Sequence, residues 1–169
     1  IFGNTGLENV KIPDTVTSIG ERSFADCTKL EKIIFSEKIE TINGRAFLGC
    51  SSLKSVSLPD SITSMDTEIF SGCTSLSSVK LPNKCVNITS STFEGCTSLT
   101  EITLPDTVTT IQDHAFKNCT ALKTINWSKS ITDIQSYAFE NCDALTKLDI
   151  PNTVTNIGTG AFYECGGFT

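Results

Sequence analysis

The chain is poor in what most enzymes, nucleic-acid binders and membrane proteins require. It holds one histidine, His114. A Ser–His or Cys–His nucleophilic site needs a base that a third group holds in place, so a lone histidine leaves little room for one. Cysteine and histidine never cluster at the short spacing of zinc ligands, and no glycine-rich phosphate-binding loop is present. Lysine and arginine number 13 against 19 aspartates and glutamates, a net charge of −6. That balance argues against a nucleic-acid binder working through general phosphate attraction. No apolar run approaches the ~20 residues of a membrane-spanning helix. The first residues lack the basic start and apolar core of a signal peptide. The expectation is therefore no catalytic residue, no cofactor, no metal, no nucleic acid and no membrane insertion in this segment.

What the chain does contain is a strict period. Phenylalanine recurs at 24, 47, 70, 93, 116, 139 and 162, and cysteine at 27, 50, 73, 96, 119, 142 and 165. Leucine follows each cysteine but the last by three residues, at 30, 53, 76, 99, 122 and 145. Every interval is 23 residues, without insertion or deletion. A fixed period of this size marks a solenoid, in which each unit buries its apolar face only against its neighbours. Seven repeats fit: 7–29, 30–52, 53–75, 76–98, 99–121, 122–144 and 145–167. Together they make one domain over 1–169. Ile1, Asn4 and Phe168 stay in register at the flanks, so we expect a segment of a longer array without polar caps.

Each repeat divides into three sides. In 99–121, Leu99, Ile102 and Leu104 point inward from a half-buried strand rich in β-branched residues. Phe35 and Trp127 take the third inward place in two repeats. Successive strands run the same way and predict one parallel sheet. All five prolines, Pro13, Pro59, Pro82, Pro105 and Pro151, close this strand and are followed by Asp or Asn. Proline cannot extend a hydrogen-bonded ladder, and Pro-Asp favours a turn. Val108 and Ile111 then predict a second extended side. Gly20, Gly158, Asn43 and Asp66 suggest a bend of positive φ just after it. The Ala-Phe-x-x-Cys side is too short for an independent helix but fits one packed helical turn.

Eight cysteines in a short chain would suggest a disulfide framework. Seven of them, however, stack on copies of themselves, about 5 Å apart if neighbouring coils keep strand spacing. Parallel identical side chains are poorly aimed for disulfide geometry. Cys85 occupies a place filled elsewhere by Val16, Ile39, Ile62, Val108, Ile131 and Val154. All eight are expected to be buried free thiols. His114 aligns with Arg22, Arg45, Glu68, Ser91, Tyr137 and Gly160, a scatter that reads as an exposed, unconstrained position.

The pattern L-x-x-I-x-L-P-x-x-V-x-x-I-x-x-x-A-F-x-x-C-x-x resembles the BspA-like, or Treponema-type, leucine-rich repeat over the whole chain. The resemblance implies a right-handed leucine-rich-repeat solenoid with a parallel β-sheet on its concave face. Short extended segments and short helical turns would form the other sides. It also implies a surface or secreted protein of a bacterium or parasitic protist, adhering to host or extracellular-matrix proteins or to other cells, without enzymatic activity. A cytoplasmic scaffold or sorting protein, and a passive spacer displaying another domain, are the alternatives.

The outward positions of the first strand, 8, 9 and 11 and their equivalents, carry six lysines against four acids. This face is thus near +2 on a molecule of −6, a mildly basic strip whose reach is limited by screening to about 10 Å. Its candidate partner-binding residues are Lys11, Glu31, Lys32, Ile34, Lys54, Lys80, Glu101, Lys123, Asn126 and Lys147. It has no Trp, Tyr or Arg, the residues that usually anchor protein interfaces. Asn87-Ile88-Thr89, Asn118-Cys119-Thr120 and Asn126-Trp127-Ser128 fit the N-glycosylation pattern. Asn118 follows from the repeat itself, so Asn87 and Asn126 are the candidate acceptors.

Overall fold

In the computed structural model, which describes residues 5–166, the chain winds as a parallel β-solenoid. Ile1, Asn4, Gly167 and Phe168, which continue the register, lie outside the described residues. The strands alternate between two sides. On the first lie β1 (Asn9–Lys11), β3 (Lys32–Ile34), β5 (Ser55–Ser57), β7 (Ser78–Lys80), β9 (Glu101–Thr103) and β11 (Thr124–Asn126). On the second lie β2 (Ser18–Ile19), β4 (Thr41–Ile42), β6 (Ser64–Met65), β8 (Asn87–Ile88), β10 (Thr110–Ile111), β12 (Asp133–Ile134) and β13 (Asn156–Ile157). All pairings are parallel, and each residue faces its equivalent 23 positions on, as in Asn9↔Lys32 and Ile111↔Ile134.

Neither side is one continuous sheet. The first side pairs β1-β3-β5-β7 and, separately, β9-β11; the second pairs β2-β4-β6 and β8-β10-β12-β13. The break between β6 and β8 falls where the repeat itself departs from pattern. Met65 is the one non-Ile at its place, and Cys85 the one residue without a branched Cβ at its own. Unbranched side chains pack less well on a pleated surface than Val or Ile. On the first side, residues 147–149 form no strand. There Leu148 replaces the Val or Ile of the other six repeats and Asp149 follows it, both poorer strand formers than the residues they replace.

The core is the column of recurring apolar residues. Phe47, Phe70, Phe93, Phe116 and Phe139 are fully buried, as are the leucines that open the repeats at 30, 53, 76, 99 and 122. The phenylalanine rings stack face to face from Phe24 to Phe162, with centroids 5.1–5.8 Å apart and planes within 16°. Phe35 and Trp127 approach Phe47 and Phe139 edge-on at 5.8 and 6.0 Å. Such offset and edge contacts add about 0.5–1.5 kcal/mol each beyond area burial.

The corners follow the Pro-Asp signal. The carbonyls of Pro13, Pro59, Pro82, Pro105 and Pro151 accept from the N–H three residues on, at 3.0–3.2 Å. Where serine replaces proline, its hydroxyl adds a bond inside the corner, and Ser36 O still accepts from Ile39 N at 3.2 Å. Ser36 Oγ accepts from Lys38 N, and Ser128 Oγ accepts from Ser130 N, both at 3.0 Å.

The third side differs from the expected helical turn, since the described residues contain no helix. Two residues per coil instead take left-handed φ. One series is Arg22, Arg45, Glu68, Ser91, His114, Tyr137 and Gly160, and the other is Asp26, Gly49, Gly72, Gly95, Asn118, Asn141 and Glu164. Gly20, Gly158, Asn43 and Asp66 are not among them, so the expected bend lies two residues later. The alternation turns every second N–H along the solenoid axis. Arg22 N reaches Gly44 O (3.2 Å), Phe24 N reaches Ala46 O (2.8 Å) and Asp26 N reaches Leu48 O (2.7 Å). A helix would spend those donors within its own turn; here they join adjacent coils.

The eight cysteines are free thiols, buried except for half-buried Cys165. Their recurrence has a reason beyond size. Cys50 Sγ donates to Phe24 O at 3.1 Å, and each later thiol of the ladder repeats this toward the preceding coil, at 3.0–3.3 Å.

Candidate functional site

The sequence places 21 outward residues on the first side, and all are exposed. Register puts Lys11 beside Ile34 and Lys32 beside Ser55. Ile34, 45% exposed, therefore sits as an apolar point at the edge of a lysine cluster. Neighbouring coils tie some of the charges. Lys54 Nζ meets Glu31 Oε2 at 2.7 Å, and Asn126 Nδ2 donates to Glu101 Oε1 at 2.6 Å and to Thr103 Oγ1 at 3.0 Å. Among the described residues, no ion pair engages Lys11, Lys32, Lys80, Lys123 or Lys147. The positive character of the strip is thus carried by five lysines spread over its length.

The missing seventh strand gives this side its relief. Between β11 and residues 147–149 lies a recess of about 260 Å³, lined by Lys123, Ile125, Trp127, Lys147 and Leu148 among others. Trp127 is half-buried there rather than wholly inward. An indole beside two lysines is the anchor type that the strip lacked when its outward positions were considered alone. The period-2 rule for inward and outward residues hid it, because the rule assumes an unbroken sheet.

A second surface was not legible as one. The position of His114, expected to be unconstrained, has the same left-handed φ in every repeat. Its side chains stand in a row along the axis. Arg45 makes a bidentate pair with Glu68, Nε–Oε2 at 3.0 Å and Nη2–Oε1 at 2.7 Å. The hydrogen bond and charge of Arg45 hold the Glu68 carboxyl below its usual range. His114 stacks on Tyr137 with centroids 5.5 Å apart and planes 12° apart. A parallel row three residues on pairs Lys117 Nζ with Glu140 Oε2 at 2.8 Å, and that bond raises the Lys117 ammonium. Only the three-dimensional ladder shows that residues 23 apart are neighbours here.

Among the described residues, no group of three Cys, His, Asp or Glu side chains is placed to hold a metal. The thiols are buried donors to backbone carbonyls, and burial pushes Cys96 up to about 12 and Cys85 up to about 11. No helix of the described residues is long and apolar enough to cross a membrane.

The sequons differ in setting. Asn126 is exposed, but its amide is engaged by Glu101 and Thr103, and Ser128 of the same sequon is buried and donates to Val108 O at 2.6 Å. Asn87 is half-buried in β8, opposite Thr110.

A sequence profile of the BspA type leucine rich repeat region, in six copies, matches residues 1–120 and 86–169. No curated protein matches the chain. Solved structures do. A leucine-rich repeat protein from Eubacterium ventriosum superposes with a TM-score of 0.88 at 26% identity, over 96% of this chain and 44% of its own. The T. pallidum leucine rich repeat protein gives 0.80 at 27%, over 95% and 74%. A leucine rich cell surface protein from Faecalibacterium prausnitzii gives 0.58 at 28%, over 94% and 52%. The chain thus spans under half the length of the Eubacterium protein.

Proposed function

From the premise that this chain belongs to the BspA-type leucine-rich-repeat family, we propose a non-enzymatic protein-binding module of a cell-surface or secreted protein. Its first side meets an acidic patch on a partner, a host or extracellular-matrix protein. The observation that carries this reading is the coincidence of three features on one face. These are exposed outward positions, five lysines that no ion pair engages among the described residues, and a recess lined by Trp127, Lys123 and Lys147. Lysines spread along a strip steer an acidic partner and raise its on-rate. A half-buried indole supplies the desolvated anchor that charge alone does not. The surface location is supported by likeness to the Faecalibacterium cell surface protein.

The test is solid-phase binding of the chain to immobilised matrix and host-cell-surface proteins at 50 and 300 mM salt. Lys123→Glu/Lys147→Glu and Trp127→Ala are compared with Lys32→Glu/Lys54→Glu. Binding should weaken at least tenfold in the first two and fall with salt in the wild type. Binding unchanged by all three variants removes the first side as the contact.

A further inference from the structure

Among the described residues, the coils are joined on the second side by the same backbone bonds at every junction but one. Asn43, Asp66, Gln112, Gln135 and Gly158 each donate N–H to the carbonyl 24 residues back, at 2.7–3.0 Å. Thr89 N makes no such bond to Met65 O, and its Oγ1 donates to Asp66 O instead, at 2.7 Å. Val86 N and Asn87 N do not reach Thr63 O, although Thr63 N and Ser64 N reach Glu40 O at 2.9 and 3.2 Å. On the first side β7 and β9 do not pair. There Thr100 N makes no bond to Ser77 O, whereas Ser77 N reaches Lys54 O at 3.0 Å and Lys123 N reaches Thr100 O at 2.9 Å.

These gaps belong to a single interface. Residues 64–80 and 87–103 are neighbouring turns that cross the second, third and first sides in that order. Only the third side is closed between them. Glu68 N reaches Ser90 O, Phe70 N reaches Thr92 O and Gly72 N reaches Glu94 O, at 2.7–3.0 Å. The core beneath is also at its loosest, since Phe70 and Phe93 stack at 5.8 Å against 5.1–5.5 Å along the rest of the column. A recess opens on each parted side. One of about 220 Å³ is lined by Thr63, Met65, Cys85 and Asn87 among others, and one of about 240 Å³ by Ser77, Ser78, Thr100 and Glu101 among others. Solvent entering there meets the unpaired backbone groups, which would be costly if sealed in the interior. The interface is bounded by intact bonds, Leu58 N to Lys80 O at 3.0 Å before it and Thr109 N to Val86 O at 2.8 Å after it. At residues 147–149 the first side alone is parted, because β12 and β13 still pair.

We infer that the interface between residues 64–80 and 87–103 is a joint at which the solenoid bends. The third side keeps its bonds and serves as the hinge line, while the first and second sides open and close. The coils before and after it move as rigid blocks. A solenoid resists bending because each junction must stretch the bonds of all its sides together, and this junction holds them on one side of three. The lysines of the first side divide at the joint, with Lys54 and Lys80 before it and Lys123 and Lys147 after it. Bending therefore sets the span of the strip. The joint follows from the backbone and stands whether or not the first side binds an acidic partner.

Double electron–electron resonance on the whole chain, in a Cys165→Ala background, tests this with two spin-label pairs. Each pair spans five coils, about 24 Å at strand spacing. Asn9→Cys/Thr124→Cys lies on the first side and Thr28→Cys/Asp143→Cys at the third, all at exposed positions. The remaining native thiols are buried and escape labelling. The first-side distance distribution should be at least twice as wide as the third-side one. Met65→Ile/Cys85→Val restores the residue types that the repeat carries elsewhere at these places, and should narrow the first-side distribution. Amide exchange followed by NMR should leave Glu68, Phe70 and Gly72 protected within tenfold of Arg45, Phe47 and Gly49, their equivalents one coil earlier. Equal widths for the two pairs, or a first-side width that the double variant leaves unchanged, would overturn the joint. So would a greater than tenfold loss of protection at Glu68, Phe70 and Gly72, since the blocks would then separate without a hinge. Should the double variant fail to fold, the two wild-type pairs and the exchange rates decide.

Discussion

Alkaline pH should unfold this protein through its cysteines, and Cys85 allows that effect to be isolated. Its thiol is 6% exposed, donates to Asn87 O at 3.2 Å and is pushed by burial from an ordinary 9.0 to about 11. The folded state therefore holds this proton more tightly than the unfolded chain does. Below pH 9 both states keep it, and the contribution is fully present. As pH rises from about 9 to about 11 the unfolded chain ionises first, so stability is lost across that window. At about 1.4 kcal/mol per unit, the two-unit shift amounts to about 3 kcal/mol. Against a total of roughly 5–15 kcal/mol, that is a large fraction. Cys85→Val places at this position the residue found at Val16, Val108 and Val154, which fits the site and cannot ionise. Urea unfolding with reductant at pH 8, 9, 10 and 10.5 measures both proteins. Below pH 9 the gap between them should be constant and under about 1.5 kcal/mol, as for a near-isosteric swap. Above it, the variant should gain about 1.4 kcal/mol on the wild type per pH unit. Cys96 and the other buried thiols whose ionisation is suppressed are present in both proteins, so their contribution cancels. Two parallel lines across all four pH values would refute the buried, protonated thiol.

Further consequences can be checked on the same protein. Phe93→Ala removes a fully buried ring stacked on Phe70 and Phe116 at 5.8 and 5.4 Å. It should cost about 3–5 kcal/mol in denaturant unfolding, and a loss below about 1 kcal/mol would mean the column is not packed as described. Thiol titration should find eight reactive groups after denaturation but at most one, half-buried Cys165, in the native chain; fewer than eight on denaturation would reveal disulfides. Ser91 has φ of 53°, so Ser91→Val should lose about 1–3 kcal/mol while Ser91→Gly is tolerated. Equal effects of the two would remove the backbone constraint at that place.

The interior was readable from the chain because solenoid burial is set by the same side chains recurring at the same interval. Phe, Cys and Leu every 23 residues can be buried together only if coils of equal length stack, and the parallel register follows. Pro-Asp marked the corners for local reasons. The ten strip residues came from the same logic, since alternation along a strand fixes which side chains face solvent. Where alternation failed, at Leu148 and Asp149, the recess beside Trp127 was lost to view.

Backbone direction and axial neighbours belong to the tertiary structure. Nothing local requires Arg22, Glu68 or Tyr137 to adopt left-handed φ, which costs an ordinary residue about 1–2 kcal/mol. Their N–H groups find acceptors only on the next coil, and that coil must be in place before the turn is worth making. The same holds for the cysteine thiols, whose acceptor lies 26 residues back. The rows of His114, Tyr137 and Gly160 have no relation along the chain except their interval. Sequence determined what is inside. Stacking decided which exposed residues became neighbours, because proximity on this surface runs along the axis and not along the chain.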